Sequence, residues 1–153
     1  MNNTKELDTE LENINRLISI AIEKTTERLL DELVNIIDSV VYSYSGSWAD
    51  ENRTYRFKDS WYNTVSTIVG NVVVSSVQQN QDVLFHDPQN WSHGNRWSPL
   101  EENSLNDIIN NGLSSSNFGF PSIEARPFWS DFKVYCNNNI ERIFEEQMRF
   151  VGL

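Results

Sequence analysis

Residues 64–77 read Thr-Val-Ser-Thr-Ile-Val-Gly-Asn-Val-Val-Val-Ser-Ser-Val. Two runs rich in β-branched residues, Thr64 to Val69 and Val72 to Val77, face each other across Gly70-Asn71. Branching at Cβ suits the pleated surface of a strand. Gly-Asn supplies the unusual backbone angles of a two-residue hairpin turn. The stretch therefore predicts an antiparallel hairpin. The unbroken Val72-Val73-Val74 predicts a strand covered on both faces. Tyr55, Phe57 and Trp61 are strand-like and widen the β region to about 53–85.

Outward from the hairpin the period changes. On the N-terminal side, apolar residues stand at Leu7, Leu11, Ile14, Leu17, Ile18, Ala21, Ile22, Leu29, Leu30, Leu33, Ile36, Ile37, Val40 and Val41. Spacings of three and four draw one stripe down a helix of about 4–42. Asn3 with Glu6 reads as a capping-box-like start, and Gly46 within Ser43 to Ser47 as the stop. Such a helix is roughly 50 Å long at about 1.5 Å per residue. That exceeds the width of a domain this size, so one end can project toward a neighbour. Thr25-Thr26 interrupts the stripe.

On the C-terminal side a polar loop carries the aromatic anchors Phe85, Trp91 and Trp97, over 85–97. Ser98-Pro99-Leu100-Glu101 starts a short helix, 99–111, which Gly112 stops. A second loop holds Phe118 and Phe120. After Arg126-Pro127 a closing helix, about 127–150, carries Phe128, Phe132, Tyr135, Cys136, Ile140, Ile143, Phe144, Met148 and Val151. Its other face carries Glu141, Arg142, Glu145, Glu146 and Arg149. The order predicts one α+β domain over 1–153: an antiparallel sheet packed by a long N-terminal and a C-terminal helix, with a short helix between.

Composition narrows the function. The 153 residues carry a net charge of −10, with no cluster of Lys and Arg. Neutralising duplex phosphates needs such a cluster, so a DNA-binding role is disfavoured. Cys136 is the single cysteine, which rules out an intramolecular disulfide, and Tyr135 and Asn137 beside it offer no base. The start Met1-Asn2-Asn3-Thr4-Lys5-Glu6 has no leader character, and no run reaches the roughly 20 apolar residues of a membrane span. The expectation is a protein made in the cytoplasm.

His86, Asp87 and His93 are the nearest approach to a metal set, but their spacing fits no zinc pair. Adjacent carboxylates at Asp50-Glu51, Glu101-Glu102 and Glu145-Glu146 read as solvated or helix-start charges. No nucleophile elbow, phosphate loop or dinucleotide fingerprint occurs. The expectation is no catalytic, cofactor or metal site. Trp48, Trp61, Trp91, Trp97 and Trp129 read either as interface anchors or as core filling under loops. The candidate interface residues are Trp91, Trp97, Phe118, Phe120 and Trp129.

Three segments together resemble the tail-completion, or head–tail joining, family of tailed bacteriophages, the HK-type minor tail proteins. Thr54-Tyr55-Arg56-Phe57-Lys58-Asp59-Ser60-Trp61 looks like the family's Thr-Gly-x-Leu-x-x-Ser segment after the first helix, with Tyr55 in place of the glycine. Leu105 to Gly112 sits where the family has a helix ending in acidic-aromatic-Gly, here Asn110-Asn111-Gly112. Glu124-Ala125-Arg126-Pro127-Phe128-Trp129 is similar to the Ala-Arg-Pro-Phe-Leu segment that launches the closing helix. The loop 85–97 looks like an insertion.

The family-matched residues are Thr54, Ser60, Gly112, Ala125, Arg126, Pro127 and Phe128. The resemblance implies a virion subunit that forms a six-fold homomeric ring in the neck or tail, without catalysis or cofactor. Its partners would be copies of itself and neighbouring connector and tail-tube proteins. DNA would be only a non-specific passenger, and no membrane is involved. It further implies that Arg126 pairs a carboxylate or caps carbonyls, that Pro127 takes the first helical position, and that Phe128 is a core anchor. Two other readings compete: an acidic adaptor or immunity-type module for a basic partner, and an enzyme whose site has no recognised signature.

Overall fold

From residue 2 to residue 43 the chain contains neither Gly nor Pro, so nothing interrupts the backbone ladder of the first helix. In the computed structural model, which describes residues 2–43, 56–70, 72–80, 104–112 and 124–153, helix α1 spans Asn2–Ile36. It runs directly into one wider π-type turn, Ile37–Val41, closed by the Tyr42 N–H donating to Ile37 O at 3.1 Å. Helix therefore continues to Val41. Asn3 lies inside α1 rather than at its cap, because the helix already begins at Asn2.

Thr25 and Thr26 do not break α1 although both are buried. The Thr25 hydroxyl donates to Ala21 O and the Thr26 hydroxyl to Glu23 O, each at 2.8 Å. Bonds of this kind satisfy a buried hydroxyl inside the helix itself.

Six short elements and one long helix follow: α2 (Arg56–Asp59), β1 (Trp61–Asn63), β2 (Thr67–Val69), β3 (Val72–Val74), β4 (Val77–Gln79) and α3 (Ser104–Asn111), then α4 (Phe128–Phe150). The protein is thus α+β, with long helices at both ends of the described chain and small antiparallel pairings between them. The hairpin forms as its sequence predicts, with Thr67 opposite Val74, Ile68 opposite Val73 and Val69 opposite Val72. Gly70 takes φ +62°, which a residue without Cβ adopts at little cost. Phe57 departs from expectation: it is helical, in α2, rather than on a strand.

The ladder is not continuous. Strand β1 pairs with β4, and β2 with β3, as separate two-stranded sheets. Thr64 N–H donates to Ser76 O at 2.8 Å, and the next pair along is Thr67 with Val74. Val65 and Ser66 therefore stand opposite Ser75 alone, the count of a β-bulge. The Val72 to Val74 strand is also not covered on both faces: Val72 and Val74 are exposed and Val73 is half-buried. A two-stranded ribbon has no third strand or second layer to cover it.

Backbone contacts sort the chain into two units. The first comprises Met1–Glu32, Tyr62–Gln78 and Tyr135–Leu153. Within it, Ala21, Leu29 and Ile143 are buried. Glu23 Oε2 accepts from the Ser66 N–H at 3.2 Å, and the Thr26 and Ser75 hydroxyls meet at 2.7 Å. Both contacts tie α1 to the base of the hairpin. Arg28 joins α1 to α4 through Glu146 at 2.6 Å, and Arg142 approaches the same carboxylate. The second unit, Leu33–Trp61 with Gln79–Val134, buries Leu33, Ile37, Val41, Phe57, Phe128 and Phe132.

Hydrogen bonds from Arg28 and then Arg142 hold the Glu146 carboxyl below the ordinary glutamate value. A depressed pKa stabilises the fold above the unfolded value and loses that effect as acid protonates the folded carboxylate. Glu146→Gln should therefore lower the midpoint of urea unfolding at neutral pH, while parent and variant converge below the usual glutamate range of about 4.3. A gap that persisted in acid would assign the loss to packing.

Candidate functional site

Every helix ends with carbonyls that have no partner of their own. Two such ends meet at Arg126. Its guanidinium donates to Val41 O, in the last turn of the first helical run, at 2.7 Å. Its backbone N–H donates to Ile109 O near the end of α3 at 2.8 Å. A cation at a helix C-terminus also opposes the negative end of the macrodipole. Carbonyl capping is one of the roles that the family resemblance implies for Arg126, and the geometry provides it.

Pro127 lies one residue ahead of the first helical position, since α4 begins at Phe128. The Phe128 N–H turns back to Arg126 O at 2.7 Å, and the Asp131 N–H reaches Pro127 O at 3.0 Å. A three-residue turn of this kind suits the fixed φ of proline at its centre. Asn110 completes the helix start: its Oδ1 accepts from the Trp129 N–H at 3.2 Å. The departure from the family's pattern at Asn110 thus has a job, which sequence spacing alone did not signal. Gly112, expected as the stop of α3, sits just beyond it at φ +75°.

Phe128 then enters an aromatic cluster and is fully buried. Its ring meets Phe57 edge-on at 5.2 Å and Trp61 at 6.4 Å. Trp129 stacks on Trp61 at 5.6 Å and leans on Phe132 at 5.5 Å. Trp129 is both packing and surface, being 36% exposed. Beneath the cluster Ser60 is buried. Its hydroxyl donates to Phe57 O at 2.7 Å and accepts from Gln79 Nε2 at 3.1 Å. Asn106 Nδ2 extends the chain to Gln79 Oε1 at 2.7 Å. With its proton committed to a carbonyl, Ser60 is a structural hydroxyl rather than a nucleophile. Lys58 grips both oxygens of Asp38, at 3.0 and 3.2 Å, and so ties α2 to the π-turn.

Burial pushes the Cys136 thiol up from its ordinary value, which keeps it protonated and unreactive at neutral pH. Among the described residues, no group of three or more His, Cys, Asp and Glu converges as a metal site. Among them, too, no helix is long and apolar enough to cross a membrane. Thr54, Trp91, Trp97, Phe118 and Phe120, the candidate metal set His86, Asp87 and His93, and the capping box at Ser98 all lie outside the described residues.

Two apolar surfaces of the first unit have no cover among the described residues. One is the beginning of the α1 stripe, where Leu7, Leu11 and Ile14 are 56%, 56% and 40% exposed. The other is the outward face of the hairpin. Pairing places Thr67 with Val74 and Val69 with Val72 on one side of the ribbon, and all four are exposed; Ile68, on the other side, is exposed as well, while Val73 opposite it is half-buried. Sequence patterning shows that these residues are apolar, not that they are left uncovered.

No protein-family model matches the chain, and no curated protein or solved structure matches it.

Truncating Phe128 removes the ring around which the cluster packs. Phe128→Ala should cost about 3–5 kcal/mol in chemical denaturation; an unchanged unfolding midpoint would mean that α4 docks elsewhere. Arg126→Ala should cost about 1–3 kcal/mol, because it strips a charge-assisted donor from a helix-end carbonyl. Arg126→Lys should restore only part of that, since ammonium lacks the guanidinium fork. Full stability in the alanine variant would show that water caps Val41 equally well.

Proposed function

We propose that this chain is a structural subunit of the neck or tail of a tailed bacteriophage: a tail-completion, or head–tail joining, protein that assembles with copies of itself into a ring and performs no catalysis. The observation that carries the reading is the Ala125-Arg126-Pro127-Phe128 segment. It matches the family's helix-launching motif in sequence, and in this fold it caps the preceding helices and launches α4. The motif thus has a physical task here that does not depend on the resemblance.

The uncovered apolar surfaces support assembly as the mode of action. Exposed apolar patches in stable folds mark sites of association. The net charge of −10 suits a ring through whose channel DNA slides without sticking. Connector and tail-tube proteins are the expected neighbours, and the virion is the expected location.

Size-exclusion chromatography with light scattering tests the ring. Six-fold assembly predicts a mass six times the 17.8 kDa of the chain, with portal, connector and tail-tube genes flanking its own. A monomer encoded beside toxin or metabolic genes would overturn the reading in favour of an acidic adaptor.

A further inference from the structure

We infer that the outward face of the β2–β3 hairpin of one copy docks on the uncovered start of helix α1 of the next, so that copies join head to tail. The inference rests on the ring reading above and names the two surfaces that build it.

Charge selects this pairing. At about 100° per residue, Leu7, Leu11 and Ile14 share one face of α1, flanked by Asp8 on one side and by Glu6 and Glu10 on the other. Lys5 and Arg16, the only cations between residues 4 and 16, fall on the opposite face. Two such stripes pressed together would bring carboxylate against carboxylate with no cation between them.

The hairpin is the reverse case. Residues 60–81 contain no Asp, Glu, Lys or Arg, and no other stretch of the chain is uncharged for so long. In a protein of net charge −10, an acidic helix meets no carboxylate from the hairpin's own strands. Its edges also lack the lysine and proline that usually block association of strands.

Size agrees with charge. From Leu7 to Ile14 the stripe rises about 10 Å. Strands β2 and β3, three residues each, extend about 10 Å. A helix laid across a two-stranded ribbon is ordinary layer packing. Because the two surfaces differ, the contact is heterologous, and its repetition builds a ring where the rotation closes and a filament where it does not, whereas hairpin on hairpin would stop at a dimer.

Leu11→Glu and Val72→Glu each spoil one of the two surfaces at an exposed position, 56% and 59% in the free chain. A thermal melt by circular dichroism checks that each variant folds. Val69→Glu, on the same outward face, replaces Val72→Glu should that variant melt early. Light scattering should find the parent assembled and each variant monomeric, with self-association weakened by at least about a hundredfold. Mixed in equal amounts, the two variants should form a one-to-one dimer, because each brings the surface that the other has lost.

A Leu11→Glu variant that remains dimeric overturns the inference in favour of hairpin on hairpin. A mixture that stays monomeric overturns it as well. Variants that assemble like the parent remove this contact but leave the ring standing. A parent that is monomeric at all concentrations removes both.

Discussion

A long helix is only as well fixed as its last carbonyls, and here the oxygen of Val41 is met by a side chain 85 residues further along, the guanidinium of Arg126. Much of the second unit depends on that bond and its neighbours. The same residue's N–H holds the end of α3, and Asn110 returns the favour by capping the start of α4. Two helix ends and one helix start are thereby satisfied within a few residues. The backbone then delivers Phe128 into the aromatic cluster without slack. In a protein interior an unmet carbonyl costs more than a met one gains, so this polar knot and the apolar cluster beside it support one another.

The polar contacts of the first unit lie nearer to solvent. Arg28 and Arg142 converge on Glu146 with side chains that remain substantially exposed. Such pairs orient helices more than they hold them. The buried contribution comes from residues such as Ala21, Leu29 and Ile143. Polar bridges from Glu23 and Thr26 to the hairpin base fix where the ribbon leaves the helix, while its outward face stays open.

How much of this was legible in the sequence follows from the range of each interaction. Helix periods, the hairpin pairing with its glycine at 70 and the start of α4 are written within a few residues of one another, and they were readable. Phe57 was misread as a strand residue because an aromatic carries strand propensity wherever it stands. Only the local turn, closed by the Ser60 hydroxyl on Phe57 O, makes it helical. The cover expected over Val72 to Val74 failed for a related reason: an apolar run records what a strand could bury, not what lies on it. Arg126 could be singled out by its motif, but its partner Val41 is distant in sequence and no spacing rule connects them. Asn110 gave no signal at all.

The bulge at Val65 and Ser66 has a consequence of its own. Side chains alternate along a strand, and one surplus residue reverses the alternation beyond it. Tyr62, whose hydroxyl bonds Gln78 at 2.9 Å, precedes the surplus; Thr67 and Val69 follow it, and all three are exposed. The partner strand has no such surplus, and Gln78, Val74 and Val72 keep their even spacing on the exposed side. The surplus residue therefore acts as a phase selector for the ribbon. A chain one residue shorter here would bring Ile68, in place of Thr67 and Val69, onto the side of the ribbon that holds Val72 and Val74, and would change which side chains stand together there.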